Sequence, residues 1–279
     1  MSKQKSGGIN VASVRKKFMS QTIKDNFMFG AVMREGDNCK ELLERIFNRT
    51  MSKVVISQEE KSIFYNPDYH GVRLDVYAVD IRGKIYDIEM QISRDNTELR
   101  ARYYHSQMDV ELLVKGADYR ELPDSYVIFI CDYDPLKMGK FVYNIRNRVD
   151  ELPDYDYMDG SHTIFLSTRG KNDSEISESL KKFLDYVGSD LKDSNKDYND
   201  EFISKLQKSV AKIKSNREQE AQFMTLELML NDKYRAGRAE ERADLVNALL
   251  KKYSADKVAD MLDMSVDDVM NAAYISAER

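Results

Sequence analysis

Cysteine, histidine and long apolar runs are scarce in this 279-residue sequence. Its two cysteines, Cys39 and Cys131, exclude a disulfide framework, and three histidines without a Cys/His cluster argue against a zinc site. No apolar run approaches the ~20 residues that span a bilayer, and the N-terminal residues lack the apolar segment of a secretory signal. We therefore expect a cytoplasmic protein that does not associate with membranes.

Charge of either sign is plentiful, and the balance is slightly acidic. The chain has 43 Lys and Arg against 48 Asp and Glu, a formal net charge of −5. This balance argues against a protein that coats nucleic acid, but it allows an enzyme that contacts DNA through a local basic patch and a metal ion. Hydrophobic residues make up 42% of the sequence, enough for a sizeable core.

The composition divides the chain into five segments. Residues 1–24 contain six basic and no acidic side chains, which predicts a basic flexible arm that is either a DNA contact or a solvated tail. Residues 25–188 have a mixed α/β pattern, and residues 189–200 are polar like a linker. Residues 201–252 lack proline and predict long helices. Residues 253–279 resemble a small helix-turn-helix, for which helix packing or dimerisation is favoured over base reading because its second helix lacks arginine.

The pattern between residues 25 and 188 alternates between strand and helix periods. Helices are predicted over 39–48, 97–115 and 177–187. Strands are predicted over 53–57, 61–65, 71–80, 84–92, 125–131, 140–145 and 163–167. This order is typical of a mixed α/β domain.

The stretch from 71 to 92 predicts a hairpin whose register can be derived. A three-residue loop ending at Gly83 suits a left-handed last position. That loop places Val76 opposite Ile88 and Ala78 opposite Tyr86, with Leu74–Met90 and 72–92 as the outer pairs. All of these pairs are apolar or aromatic and share one face, whereas a slip by one residue would mix the two faces.

The same register places Asp75 opposite Glu89 on the other face, with Arg73 opposite Gln91. Carboxylates on opposed residues, whose Cβ atoms lie about 5 Å apart, repel each other unless a cation lies between them. Mg²⁺ prefers oxygen ligands and fits such a pair, with the Gln91 amide next to it to hold a water or a phosphate oxygen. The alternative is an ordinary polar strand face. Asp87, on the face of Glu89, is a substitute ligand in a less favoured arrangement.

Several longer sequence words accompany these acids: FMFGAVM at 27–33, CKELLERIF at 39–47, VRLDVYAVD at 72–80, YDIEMQ at 86–91, RARYY at 100–104, LLVKGADY at 112–119 and SYVIFICDYDP at 125–135. Together they resemble the PD-(D/E)XK nuclease family transposases, which are related to recombination-promoting nucleases. The resemblance runs from about residue 25 to about residue 235. Asp75, Glu89 and Gln91 correspond to the D…(D/E)-x-K signature, with glutamine at the lysine position.

The resemblance implies a restriction-endonuclease-like mixed sheet flanked by helices, here followed by a C-terminal helical region. It also implies a Mg²⁺-dependent DNA endonuclease, with Mn²⁺ as a possible substitute, linked to recombination or mobile elements. Asp75 and Glu89 would be metal ligands, with the Met90 main-chain carbonyl as a third. Gln91 would take the place of the lysine that orients the attacking water, although glutamine carries no charge and cannot act as a general acid.

Three further residues are secondary candidates. Arg100 and Arg102 open the helix after Gln91 and suit phosphate, but their spacing lets at most one of them face DNA. Glu44 is either an accessory acid near the metal or part of a solvated helix face.

Because cutting both strands usually needs two active sites, we expect a homodimer. The competing hypothesis, favoured by Gln91 and the acidic balance, is a catalytically weak nucleic-acid-binding or interaction protein derived from the nuclease fold.

Overall fold

The structure is a computed structural model that describes residues 10–57, 61–63, 72–94 and 96–275. Two compact units make up this part of the chain: residues 17–217 form one, and residues 10–16 with 218–275 form the other. The helices are α1 (Val11–Ser20), α2 (Asn26–Met33), α3 (Asn38–Phe47), α4 (Thr97–Leu112), α5 (Glu178–Val187), α6 (Glu201–Ser215), α7 (Arg217–Leu250), α8 (Ala255–Leu262) and α9 (Val266–Ile275). The strands are β1 (Val54–Ile56), β2 (Lys61–Ile63), β3 (Val72–Leu74), β4 (Val76–Asp80), β5 (Ile85–Gln91), β6 (Ser125–Cys131), β7 (Val142–Ile145), β8 (Arg148–Val149), β9 (Leu152–Asp156) and β10 (Ser161–Ser167).

A mixed sheet of six strands organises the larger unit. The strand order is β1-β4-β5-β6-β10-β7. β5, β6 and β10 run parallel to one another, whereas β1, β4 and β7 pair antiparallel. The expected mixed sheet flanked by helices is thus confirmed, and the carboxyl ends of its parallel strands lie at one edge.

The two faces of the sheet are covered by different helices. On one face, α4 packs its Ala101, Tyr104 and Met108 against a cluster that includes Val127 and Phe129. On the other face, Phe47 of α3 meets the ring of Tyr86 at a centroid distance of 5.8 Å. Because side chains alternate along β5, Asp87, Glu89 and Gln91 all point to the face covered by α4.

The predicted hairpin register is confirmed over its inner part. Val76 pairs with Ile88, and Ala78 with Tyr86. Gly83 has a φ of +78°, the left-handed conformation that the three-residue loop requires. The apolar pattern on one face therefore sets the pairing, as expected.

The outer part of the hairpin differs from the prediction. The predicted strand 71–80 is broken at Asp75, and β3 pairs with β2 instead of β5, so that Leu74 lies opposite Lys61 and Arg73 opposite Ser62. The predicted Leu74–Met90 and Arg73–Gln91 pairs are therefore wrong. The physical reason is local: the Asp75 amide bonds to a side chain of β5 rather than to its backbone. Residues 64–71, which include the predicted outer ends of these strands, lie outside the described residues.

The N-terminal segment is more ordered than the predicted basic arm. Residues 1–9 lie outside the described part, but residues 11–20 form α1 rather than a flexible chain. Val14 and Phe18, four positions apart, are both buried, and the Phe18 ring contacts that of Phe27 edge-on at 6.1 Å. A short apolar stripe within the basic sequence is what orders this helix.

The predicted linker also belongs to the larger unit. Residues 189–200 include a 3₁₀ turn over Asp193–Asn195, and Tyr198 packs its ring against Tyr186 at 5.5 Å. Asp200 caps α6 through the Ile203 amide and binds the Arg45 guanidinium at 2.8 Å. The polar composition of this segment thus marks a surface connection within one unit, and the boundary between the units falls near residue 217.

The smaller unit is helical in its described part. Val246 of α7 packs with Val258, Ala259 and Val269 of the two short helices. The predicted turn between those helices is present: Asp263 has a φ of +51°, and the Ser265 hydroxyl accepts a hydrogen bond from the Asp268 amide at 3.1 Å. None of the described helices is long and apolar enough to cross a membrane.

Candidate active site

The predicted acidic residues meet at the carboxyl end of β5. Asp75 lies at the break between β3 and β4. Glu89 and Gln91 are among the last three residues of β5, which the chain leaves toward α4. All three side chains are buried, with exposed fractions of 7% for Asp75, 2% for Glu89 and 7% for Gln91. A buried cluster of this kind is costly without positive charge nearby.

Asp75 is bonded to Glu89 and to Met90 of β5 by two hydrogen bonds, each between a main-chain amide and a carboxylate. The Asp75 amide donates to Glu89 Oε1 at 3.0 Å, and the Met90 amide donates to Asp75 Oδ2 at 3.3 Å. The predicted juxtaposition of these two acids is therefore present, although they are not partners in the regular ladder. The break at Asp75 turns its carboxylate toward β5.

The Met90 main chain faces the same place. In a strand, the N–H and C=O of one residue point to the same side. Since the Met90 amide bonds to Asp75 Oδ2, the Met90 carbonyl is directed toward the side of β5 on which Asp75 lies. Two carboxylates and one carbonyl thus present oxygen atoms to one region.

Arg100 of α4 reaches into the acidic cluster. Its Nη1 donates to Gln91 Oε1 at 2.8 Å, and its Nη2 donates to Glu89 Oε2 at 3.1 Å and to the Tyr104 hydroxyl at 2.7 Å. The guanidinium also lies 5.3 Å from the Tyr104 ring centroid and 5.6 Å from that of Phe129. Of the two predicted arginines, Arg100 is the one at the site.

Burial makes Glu89 hard to ionise. Its pKa is raised to about 8, first by burial and then by the charge of Asp75, although the bond from the Asp75 amide and the charge of Arg100 oppose the rise. Burial likewise raises the pKa of the Tyr104 hydroxyl to about 12. A carboxyl group with such a raised pKa is typical of a functional site.

Asp87 lies deeper in the same face of β5. It is fully buried opposite Tyr77, and neither of its carboxylate oxygens has a hydrogen-bond partner among the described residues. Burial, followed by the charges of Glu89 and Asp75, raises its pKa well above the usual range. Asp87 therefore adds to the electrostatic cost of the cluster.

Two residues of the α2 segment that sequence reasoning missed support Asp75. The Arg34 guanidinium donates to the Asp75 carbonyl at 2.6 Å, and the Asn26 amide lies 3.5 Å from Asp75 Oδ2. The Arg34 guanidinium packs directly against α2 at Gly30, because a Cβ added there would lie only 2.9 Å from Arg34 Nη1. A glycine inside an apolar helix is the sequence signal of such a close approach.

Basic side chains also lie beside the end of β6. Asp132 donates its amide to the Gln91 carbonyl at 2.9 Å, which places it next to the site. Its carboxylate binds Lys24 Nζ and Arg169 Nη2, both at 2.9 Å. This group, missed from sequence, gives the edge of the sheet positive charge.

The other two secondary candidates lie apart from these contacts. Arg102 is exposed, and its carbonyl accepts from the Ser106 hydroxyl within α4. Glu44 accepts from the Met51 amide at 2.7 Å and binds Lys40 Nζ at 3.0 Å, so it stabilises the end of α3 and the residues after it. Neither side chain is brought to Glu89 by these bonds.

The oxygen donors at the site match a hard divalent cation. Within the described ranges, no group of three or more His, Cys, Asp and Glu side chains has a metal-binding arrangement. The donors that converge are the two carboxylates and the Met90 carbonyl, which suits Mg²⁺ because this ion keeps several waters and needs only one or two carboxylates. The residues present thus fit such an ion.

The mixed six-stranded sheet flanked by helices is a restriction-endonuclease-like α/β fold, with a buried carboxylate pair at the carboxyl end of β5. The family model of PD-(D/E)XK nuclease family transposases matches residues 26–240, more than three quarters of the chain. The chain therefore belongs to this family, as the resemblance predicted. No curated protein and no solved structure matched it.

Proposed function

We propose that the chain is a Mg²⁺-dependent DNA endonuclease of low sequence specificity, with Mn²⁺ as a substitute ion. The observation that carries this proposal is the contact between Asp75 and Glu89 at the end of β5. We place its action in recombination or mobile-element movement, since the family consists of transposases. A cytoplasmic location and a homodimer that cuts both strands are further parts of the proposal.

Each residue has a role in this reaction. The carboxylates of Asp75 and Glu89, with the Met90 carbonyl, would hold the ion. A bound Mg²⁺ would lower the pKa of a water and offset charge on the scissile phosphate. The Gln91 amide orients the water or a phosphate oxygen, and its lack of charge leaves no acid at this position to protonate the leaving oxygen.

DNA would approach along the positive groups around this end of the sheet. Arg100 bonds to the Glu89 carboxylate, and the exposed Arg102 offers a second phosphate contact on another side of α4. Lys24 and Arg169 on Asp132 extend the positive surface. Such contacts provide sequence-independent affinity, in keeping with low specificity.

A supercoiled-plasmid assay tests the proposal. The parent protein is expected to nick or linearise the plasmid with Mg²⁺ or Mn²⁺ and not with EDTA. Asp75→Asn should lower the rate by about a thousandfold or more, because an oxygen ligand and a charge are lost. Asp80→Asn is the matched control, since Asp80 ends β4, the strand that follows Asp75, and accepts hydrogen bonds from the Arg82 and Lys84 amides of the hairpin turn.

Undiminished cleavage by folded Asp75→Asn would contradict the proposal. Binding of DNA by the folded parent without cleavage, in either metal, would instead favour a catalytically weak nucleic-acid-binding protein. The observation that favours this second candidate is Gln91, which engages Arg100 rather than supplying a charge of its own.

A further inference from the structure

Arg100 offsets part of the negative charge of the acidic cluster from within the chain. Glu89 is a buried carboxylate, and the guanidinium bonds to its Oε2 while also bonding to Gln91. A divalent cation held by Asp75 and Glu89 would therefore share an oxygen that Arg100 now contacts. Two positive groups on one carboxylate repel each other, which weakens the Arg100–Glu89 contact.

The surroundings of the Arg100 guanidinium allow it to leave Glu89 and bind another anion. Its side chain is 28% exposed, so it is reachable from solvent while Glu89 is not. The rings of Tyr104 and Phe129 lie against it independently of the acids and would keep it at the site. It also lies in the first turn of α4, where the helix dipole favours an anion.

We propose that Arg100 is a metal-dependent phosphate clamp: it is held on Glu89 and Gln91 in the metal-free protein and becomes available to a DNA phosphate when a divalent cation takes over Glu89. The inference rests on the proposed function, because it assigns a cation to Glu89 and DNA to the site. The guanidinium fork suits two phosphate oxygens at once. Metal binding and DNA binding would then strengthen each other, and part of that coupling would pass through this one side chain.

A binding experiment without cleavage tests the clamp. The affinity of a short DNA duplex is measured in EDTA and in Ca²⁺, a larger oxygen-binding cation, with the duplex checked on a gel to be uncut. Arg100→Gln removes the charge but can still bond to Gln91. Its DNA affinity is expected to equal the parent's within about twofold in EDTA and to be about tenfold weaker in Ca²⁺, with a salt slope lower by about one.

Two other variants make the comparison specific. Arg102→Gln is the matched comparison, since Arg102 lies on the same helix, is exposed, and is not bonded to Glu89; any change it causes should be the same in both media. Arg100→Lys keeps the charge but loses the fork, and should lie between the parent and Arg100→Gln in Ca²⁺. Thermal unfolding establishes whether each variant is folded. If Arg100→Gln does not fold, the comparison is made with Arg100→Lys instead.

Two results would overturn the clamp. One is an equal loss of affinity by Arg100→Gln in EDTA and in Ca²⁺, which would make Arg100 a phosphate contact independent of metal. The other is no loss in Ca²⁺, which would make it a structural counter-ion only. A parent protein that takes up no divalent metal in calorimetry, or binds no DNA in either medium, would contradict the proposed function itself and the clamp with it.

Discussion

The Asp75 amide donates a hydrogen bond to Glu89 Oε1 at 3.0 Å, at the point where the first strand of the hairpin breaks. A side chain has thus replaced the backbone acceptor that a continuous ladder would provide. The break separates β3 from β4 and directs the Asp75 carboxylate toward the Met90 amide. The residues that break the strand are therefore the same residues that form the candidate metal site.

Arg34 is expected to position Asp75 through its bond to the Asp75 carbonyl. Arg34→Met keeps most of the apolar stem but removes this bond. Outer partners of metal ligands typically contribute 10–100-fold to metal affinity, so we expect Mg²⁺ affinity and cleavage to fall by about that factor. Calorimetry and the plasmid assay measure the two effects, with the exposed turn residue change Arg82→Met as the control. Unchanged metal affinity in folded Arg34→Met would show that this support is dispensable.

Placing the lysine of the D…(D/E)-x-K signature at position 91 should not increase cleavage. In Gln91→Lys, Arg100 loses the acceptor that it now bonds at 2.8 Å and gains a positive neighbour. We expect stability to fall by about 1–3 kcal/mol and cleavage to fall with it. Denaturant unfolding and initial cleavage rates are the measurements. Faster cleavage by Gln91→Lys than by the parent would contradict this expectation.

Asp87 is expected to destabilise the fold at neutral pH. Burial, followed by the charges of Glu89 and Asp75, raises its folded pKa above the unfolded value of about 3.9. The native state therefore binds the proton more tightly, and the penalty grows as the pH rises above about 4. Asp87→Asn should raise the free energy of unfolding by about 1–3 kcal/mol at pH 7, with the gain shrinking toward pH 4.

Urea unfolding of Asp87→Asn at pH 4.5 and pH 7 measures this effect. Asp150→Asn is the control, because Asp150 is exposed and its removal should change stability by no more than about 0.5 kcal/mol. A gain of equal size at both pH values would refute the assignment of the penalty to ionisation.

Metal affinity should depend on pH through Glu89. Its pKa is raised to about 8, first by burial and then by the charge of Asp75, so a cation that binds below that pH must displace a proton. We expect the Mg²⁺ affinity to increase by up to tenfold per pH unit between pH 6 and pH 8, and then to level off. Calorimetric titration at five pH values tests this, and a flat profile below pH 8 would contradict the raised pKa.

The regular parts of this fold were predictable because they follow from periodicity. The alternation along 76–80 and 85–91 sets the hairpin register, and the apolar run at 125–131 gives β6 with the predicted bounds. The helix turn at Asp263 and Ser265 likewise follows from capping chemistry.

The irregular parts depend on contacts between distant residues. The break at Asp75 requires Glu89, and its support comes from Arg34, forty-one positions earlier in the chain. Sequence reasoning placed Arg100 near phosphate but did not foresee its bonds to Glu89 and Gln91, because these depend on the angle at which α4 crosses the sheet. Composition alone also did not predict that α1 orders part of the basic N-terminal segment or that residues 189–200 belong to the larger unit. A few buried residues such as Phe18 decide whether a polar segment is ordered.

Calorimetric titration of Mn²⁺ into the parent protein, Asp75→Asn and Asp80→Asn tests the central claim, that Asp75 and Glu89 form one divalent-metal site. The account predicts one Mn²⁺ site in the parent, the same site in Asp80→Asn, and an affinity at least about a hundredfold weaker in Asp75→Asn, which loses a charged oxygen ligand. Equal Mn²⁺ binding by the parent and by folded Asp75→Asn would contradict it.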